Sequence, residues 1–144
     1  MSVKPQYYYK QSAVIPFIVE KSHVKIFLIN SRKSKHWIVP KGIVEEKLSP
    51  AESAAKEAFE EAGIKGQLLP ESVGSYTYDK WDGVCHVEVF AMEVDEIFSD
   101  WEEKSFRNRT VVDMEEASEM VFPEDLRLIM KKFNSDILKT IKAS

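Results

Sequence analysis

The sequence predicts one α/β domain, in which short β-branched segments and two stretches of helical periodicity are separated by turn residues. Three observations carry this reading. Residues 12–20 and 24–30 are rich in Val, Ile and Phe and are divided only by the polar Lys21-Ser22-His23, the pattern of a hairpin. Ser49-Pro50-Ala51-Glu52 offers a serine N-cap, a proline at the first helical position and a glutamate three residues after the cap, and Gly63 suits the far end of that helix. Leu126, Ile129, Met130, Phe133 and Ile137 recur at helical spacing in a second helix expected over 123–138.

The other elements follow in chain order. Trp37-Ile38-Val39-Pro40-Lys41-Gly42, punctuated by Pro and Gly ahead of the first helix, is expected to be a functional loop. Within that helix the alanines at 51, 54, 55, 58 and 62, with Phe59, fall on one side and form a thin apolar face suited to close packing on a sheet. Residues 72–78 and 84–94 read as strands about a turn at 79–83, and 110–114 as a further short strand. No internal repeat or low-complexity segment is present.

Composition narrows the function. A chain of 144 residues that is 44% hydrophobic suits one compact domain with a full core. With 20 basic and 24 acidic residues its formal charge is -4, so it has no global positive field, and a nucleic-acid partner is not expected. An anionic ligand must then be met by a local cluster of charge or by metal. The single cysteine, Cys85, cannot form an internal disulfide, and the amino-terminal residues lack the apolar core of a signal peptide. No apolar run approaches the roughly 20 residues that span a bilayer. A cytoplasmic location without membrane association is the expectation.

Glu57, Glu60 and Glu61 stand at i, i+3 and i+4 and project from one helix face, expected to lie opposite the alanines. Like charges at that spacing oppose the helix by a few tenths of a kcal/mol per pair unless a cation relieves them. Hard divalent ions are satisfied by such oxygen groups, magnesium in particular combining a few carboxylates with water and substrate phosphate. An acidic helix face is ordinarily just a solvated one. This face is set apart by the glycine-containing loop before it, the cap that fixes the helix start, and the Glu-Glu-Ala-Gly-Ile ending.

Residues 42–64, GIVEEKLSPAESAAKEAFEEAGI, resemble the Nudix box, G-x5-E-x7-R-E-U-x-E-E-x-G-U with U aliphatic. Glu57, Ala58, Glu60, Glu61, Gly63 and Ile64 all sit in register with Gly42, which makes the resemblance specific. Two positions depart from the pattern. Leu48 stands where it has its first glutamate, and Lys56 where it has arginine. In the family those two positions brace the loop against the helix, so their joint change suggests one brace replaced as a unit. Glu45, Glu46 and Glu52 are the candidate carboxylates, although the ordinary reading of Glu45 and Glu46 is an exposed residue and that of Glu52 a capping one. Residues 37–42, and Asp100-Trp101-Glu102-Glu103 with the arginine pair that follows, further resemble the diphosphoinositol polyphosphate phosphohydrolase branch.

The resemblance implies an α/β/α sandwich with a mixed sheet, in which the box forms a loop, helix and loop. It implies attack by water at phosphorus, with Mg2+ or Mn2+ screening phosphate oxygens and lowering the pKa of bound water. The Gly42 carbonyl, Glu57 and Glu61 would be metal ligands, and Glu60 a further ligand or the residue that positions water, so that Glu57, Glu60 and Glu61 form the catalytic group. Glu88, on a strand expected over 86–92, is a secondary candidate for general base. Arg32, Lys33, Lys35 and Lys41, with Arg107 and Arg109, are the candidate contacts to substrate phosphate. His23, His36 and His86 lack the spacing of a zinc site, and none is assigned. Trp37, Trp81, Tyr76 and Tyr78 are candidates to stack on a base or flank an inositol ring, or simply to pack. The expected substrate is a small-molecule polyphosphate, either a dinucleoside polyphosphate or a diphosphoinositol polyphosphate. The alternatives are a Nudix-fold module that binds a nucleotide without cutting it, and an enzyme acting on the 5′ pyrophosphate of RNA.

Overall fold

The computed structural model describes residues 7–31, 33–34, 36–80 and 82–143. Two long strands, β1 (Tyr7–Glu20) and β6 (Gly83–Ile97), run parallel through the middle of the sheet. Each is longer than one neighbour can cover, and each is flanked by two. The end of β1 pairs with β2 (His23–Ser31), while its earlier part pairs with the short β3 (Lys41–Ile43). Along β6, the first half pairs with β5 (Gly74–Lys80) and the second with β4 (Ile64–Leu68). β7 (Arg107–Asp113) closes the far edge against β2. All pairings but β1 with β6 are antiparallel, so the sheet is mixed, as the resemblance implied.

Helices cover both faces, which is why the central strands are apolar on both sides. Ala13, Ile15 and Phe17 of β1 point to one face, where they pack with Leu126, Met130 and Phe133 of α3 (Glu124–Ala143) and with Met114 and Ala117 of α2 (Met114–Met120). Val14 of β1, with Phe90 and Met92 of β6, points to the other, under Ala54, Ala58 and Ala62 of α1 (Pro50–Ala62). The result is an α/β/α sandwich.

The hairpin, both long helices and the strands of the middle region lie where the sequence places them. The structure corrects the ends. The strand expected over 110–114 begins at Arg107 and stops at Asp113, because Met114 opens α2 and turns its side chain into the core beside Ala117. Phe59 is 41% exposed; it lies at the margin of the alanine stripe and rests edge-on against Phe98, with the Lys65 ammonium 4.6 Å from its ring centroid. The two shortest strands, β3 and β4, lie within stretches where the sequence predicts loop or helix end.

The hairpin between β1 and β2 turns on Lys21 and Ser22, with φ of 49° and 69°. Two left-handed residues make the tight turn whose twist matches antiparallel strands, and neither residue suits that region. Replacing them together by Asn and Gly (Lys21→Asn, Ser22→Gly) is expected to stabilise the protein by about 1 kcal/mol, raising Tm by roughly 3 °C. Thermal unfolding of the double variant checks this, and an unchanged or lower Tm would contradict the turn assignment.

Candidate active site

The site is set by how α1 is fixed at both ends. Ser49 accepts from the Glu52 N–H at 3.1 Å, and the Glu52 carboxylate accepts from the Ser49 N–H at 2.9 Å, completing the capping box expected from the sequence. At the other end Gly63 adopts φ 65° and donates its N–H to the Phe59 carbonyl at 3.1 Å. A side chain there would be strained by that φ and would also strike Trp101.

Between these ends the helix lies close on the sheet, and here one expectation fails. Ala54, Ala58 and Glu61 stand at i, i+4 and i+7, so Glu61 belongs to the edge of the alanine stripe and not to the opposite face. It is only 6% exposed. Its Oε1 accepts the Lys41 backbone N–H of β3 at 3.0 Å, and Arg107 Nη2 lies 3.9 Å from its Oε2. Glu57, one turn earlier, is half-buried against Gly42, where any β-carbon would collide with its carboxyl group. One turn apart, Glu57 and Glu61 influence each other's protonation. Glu60 is more open, with Lys56 Nζ 3.5 Å from its Oε1.

This placement governs protonation. Burial is the main cause that pushes the Glu61 carboxyl up to about 9, and the neighbouring Glu57 adds to it. Burial likewise raises Glu57, with further contributions from Glu60 and Glu103. Lys41 is shifted down, chiefly by burial and then by Lys80.

A fourth carboxylate escaped the sequence reading of the site. Glu103 donates its backbone N–H to the Glu60 carbonyl at 3.1 Å, and its Oε1 accepts from Arg107 Nε at 3.0 Å. Its signal was its place in the Asp100-Trp101-Glu102-Glu103 segment, with Arg107 at i+4, to which the sequence assigned a resemblance but no role in the site. Ser12 was also missed. It is fully buried, its hydroxyl has no hydrogen-bond partner, and it lies in one cross-strand row between Gly42 of β3 and Glu88 of β6, on the face that α1 covers.

The remaining expected residues separate. Glu88 is half-buried in that row. Lys41 donates from Nζ to the Tyr78 hydroxyl at 3.1 Å, and that hydroxyl donates to Gln11 Oε1 at 2.7 Å. Arg109 is engaged elsewhere: Nη1 donates to the Ala62 carbonyl at 2.7 Å, and the guanidinium lies 4.2 Å from the Trp101 ring centroid. It fastens the end of α1, whose last carbonyls need donors. Lys33 is exposed, its N–H bonded to Ser31 Oγ. Arg32, Lys35 and Trp81 fall outside the described residues.

The donor set fits a hard divalent cation. It consists of carboxylate oxygens beside a glycine too small to block them, with an unpartnered buried hydroxyl in the adjoining row. Among the described residues no group of three or more His, Cys, Asp or Glu side chains is close enough to hold a metal ion by itself. Magnesium is commonly held by one or two carboxylates, with water and substrate phosphate completing its shell.

A NUDIX domain model matches residues 9–139, and the chain belongs to that family. It is 33% identical over 99 residues to Diphosphoinositol polyphosphate phosphohydrolase 3-beta of Bos taurus, which covers 69% of this chain and 59% of that protein. It is 35% identical over 104 residues to Nudix hydrolase 4 of Arabidopsis thaliana, 71% of this chain and 50% of that one. The likeness to the diphosphoinositol branch is thus borne out, though the chain spans little more than half the length of these relatives. Among solved structures, a Caenorhabditis elegans Ap4A hydrolase binary complex superposes with a TM-score of 0.73 at 18% identity, over 90% of this chain and 97% of that one. The NUDIX domain of Shewanella oneidensis NrtR, complexed with ADP ribose, gives 0.72 at 11%, over 94% and 90%. At such identities these two share the fold.

Because the Glu61 carboxyl is raised, the metal-free folded state holds a proton that the unfolded chain releases in the ordinary carboxylate range. Stability in chelator is therefore expected to fall as pH rises from about 4.5 towards 9. Glu61→Gln, which supplies a neutral side chain of the same shape, should flatten that slope and raise Tm in chelator near pH 8. A steeper slope, or a lower Tm for the variant there, would show that Glu61 is charged in the folded protein.

Proposed function

We propose that the chain is a metal-dependent pyrophosphohydrolase that cleaves a phosphoanhydride bond in a small polyphosphate by attack of water at phosphorus. The observation that carries this is the Glu57–Glu61 pair, held in a partly buried position against Gly42 with Arg107 beside it. Glu57, Glu61 and the Gly42 carbonyl would hold Mg2+ or Mn2+, with Glu60 as a further ligand or water-positioning group. The ion supplies charge neutralisation at phosphate and a lower pKa for bound water. The chain's own residues orient the substrate around it. Glu88 is the candidate to take the proton from the attacking water. Arg107, already between Glu61 and Glu103, and Lys41 are the described cations best placed to meet phosphate oxygens.

A cavity of about 280 Å³ beside Lys41 bears on the substrate. Its walls include Ile38, Tyr76, Tyr78, Phe122 and Leu126, and at Phe122 the His36 ring is stacked with centroids 4.8 Å apart. Such walls suit a planar ring with apolar faces and offer little to a ring bearing a phosphate on most of its carbons. This favours a nucleoside polyphosphate with a base seated beside Lys41. Diphosphoinositol polyphosphates are the second reading, favoured by the relatives of that name.

A panel of diadenosine polyphosphates, diphosphoinositol polyphosphates, ADP-ribose and NADH is expected to show turnover that requires added Mg2+ or Mn2+ and is greatest with the diadenosine polyphosphates, with both polyphosphate groups ahead of ADP-ribose and NADH. Solvent oxygen-18 should enter a phosphate-bearing product. Glu57→Gln and Glu61→Gln should each lower kcat by orders of magnitude while the protein stays folded. Tight binding with saturating metal but no product from any member would make the chain a binding module, and preference for ADP-ribose or NADH would overturn the polyphosphate assignment.

The cavity makes a separate prediction. Phe122→Ala, at an exposed wall of the cavity, should raise KM for diadenosine substrates about tenfold or more, as expected when a base loses an aromatic neighbour worth ~1–3 kcal/mol, and should leave KM for diphosphoinositol substrates nearly unchanged. Equal effects on both classes would remove the base from this cavity.

A further inference from the structure

The loop that leads from β3 to α1 is tied to the helix at Glu45. Its backbone N–H donates to Ser53 Oγ at 3.1 Å, and Ser53 is only 1% exposed. Its carbonyl accepts the Leu48 N–H at 3.0 Å. Its carboxylate Oε1 accepts from Lys56 Nζ in a short, charge-assisted contact. One residue earlier, the Val44 N–H donates to the Lys10 carbonyl of β1 at 2.9 Å, holding the loop to the sheet as well. Leu48 has no polar side-chain atom with which to make such a tie. Of the other two candidate carboxylates, Glu52 is committed to the cap, and Glu46, exposed as Glu45 is, forms no ion pair among the described residues, whereas Glu45 meets Lys56.

We propose that Glu45 and Lys56 are positioning residues that hold the Gly42 loop against α1, in the place of the glutamate and arginine that the box pattern has at positions 48 and 56. The proposal rests on the reading of Glu57 and Glu61 as metal ligands, because the loop it fixes carries Gly42 at its start. The relocation has a chemical reason. Arginine grips carboxylates with a planar fork of donors, whereas lysine offers one compact ammonium on a flexible stem and fixes little by itself. Moving the carboxylate to residue 45 adds a second anchor, since the buried Ser53 hydroxyl fixes the backbone of the same residue whose side chain meets Lys56. Lys56 also stands 3.5 Å from Glu60 Oε1 and directly precedes Glu57, so the ion pair joins the loop to the carboxylate-bearing turn of the helix.

The test compares Glu45→Gln, Lys56→Gln, the double variant, Lys56→Arg and the neighbouring control Glu46→Gln in the full chain. Two readouts need no turnover: Mn2+ affinity by calorimetry, and hydrogen exchange at the Val44 and Leu48 amides. Each single Gln variant should weaken Mn2+ binding about 10-fold or more, in the range usual for losing a group that orients a metal ligand. Each should also speed exchange at both amides with little change in Tm. The double variant should be no worse than the poorer single one, while Lys56→Arg and Glu46→Gln stay close to the parent. Parental affinity and exchange in Glu45→Gln would overturn the proposal, as would additive losses in the double variant or an equal loss in Glu46→Gln. A chain that hydrolyses nothing on the substrate panel would overturn the proposed activity, whereas affinity and exchange would still decide for or against the brace.

Discussion

The close approach of α1 to the sheet is the constraint on which the rest of the site depends. Ala54, Ala58 and Ala62 are fully buried and carry side chains too small to hold the helix away. Glu61 continues that stripe, so the packing that buries the alanines also buries a carboxyl group. Gly42 completes the approach from the sheet side, because a β-carbon there would occupy the space of the Glu57 carboxyl. The perturbed protonation of Glu57 and Glu61 is thus a consequence of backbone proximity. It follows from where small residues stand in two elements, before any charged partner is considered.

A helix laid this close must also be held in register, and both ends contribute. The capping box fixes the first turn. At the last turn, which has no basic residue of its own, Arg109 arrives from β7 to bond the Ala62 carbonyl while stacking on Trp101. Donors at the carbonyl end of a helix satisfy groups that have no intrahelical partner, and a cation there also complements the helix dipole. The segment between β6 and β7 therefore does two things through neighbouring residues. Trp101 and Arg109 clamp the helix end, and Glu103 and Arg107 add charge to the site.

What the sequence made legible was local. The cap, the helix end, the alanine stripe and the hairpin are all written in residues within a few positions of one another, and each was readable. The three glutamates at helical spacing were readable as a group, which the structure sorts into a buried Glu61 and the partly exposed Glu57 and Glu60. The burial of Glu61 was harder to see, because assigning it to an opposite face ignored its i+7 relation to Ala54. Glu103 and the orphaned Ser12 depend on long-range pairing: one folds back from beyond β6, and the other lies between Gly42 and Glu88 only once β1 is flanked by β3 and β6. Arg107 and Arg109 show the limit most plainly. Two residues apart on one strand and alike in chemistry, they reach different partners, one the carboxylates and the other a helix end.

Protonation, metal and substrate are linked in such a site. Burial raises both carboxyls, Glu61 more than Glu57, and Arg107 beside Glu61 offsets only part of that rise. A divalent cation held there as proposed would compete with protons for the same oxygens, so its affinity would rise with pH. A polyphosphate would then meet a centre whose negative charge is cancelled locally, although the molecule as a whole carries a formal charge of -4. Arg107 is consistent with this order of events. Its guanidinium lies within 4 Å of both Glu61 and Glu103, and were Glu61 to hold a metal as proposed, part of that guanidinium's hydrogen-bonding capacity would be free for a phosphate oxygen of the substrate. An acidic protein can in this way recognise a more acidic ligand without a basic surface, by confining positive charge to the one place where chemistry is done.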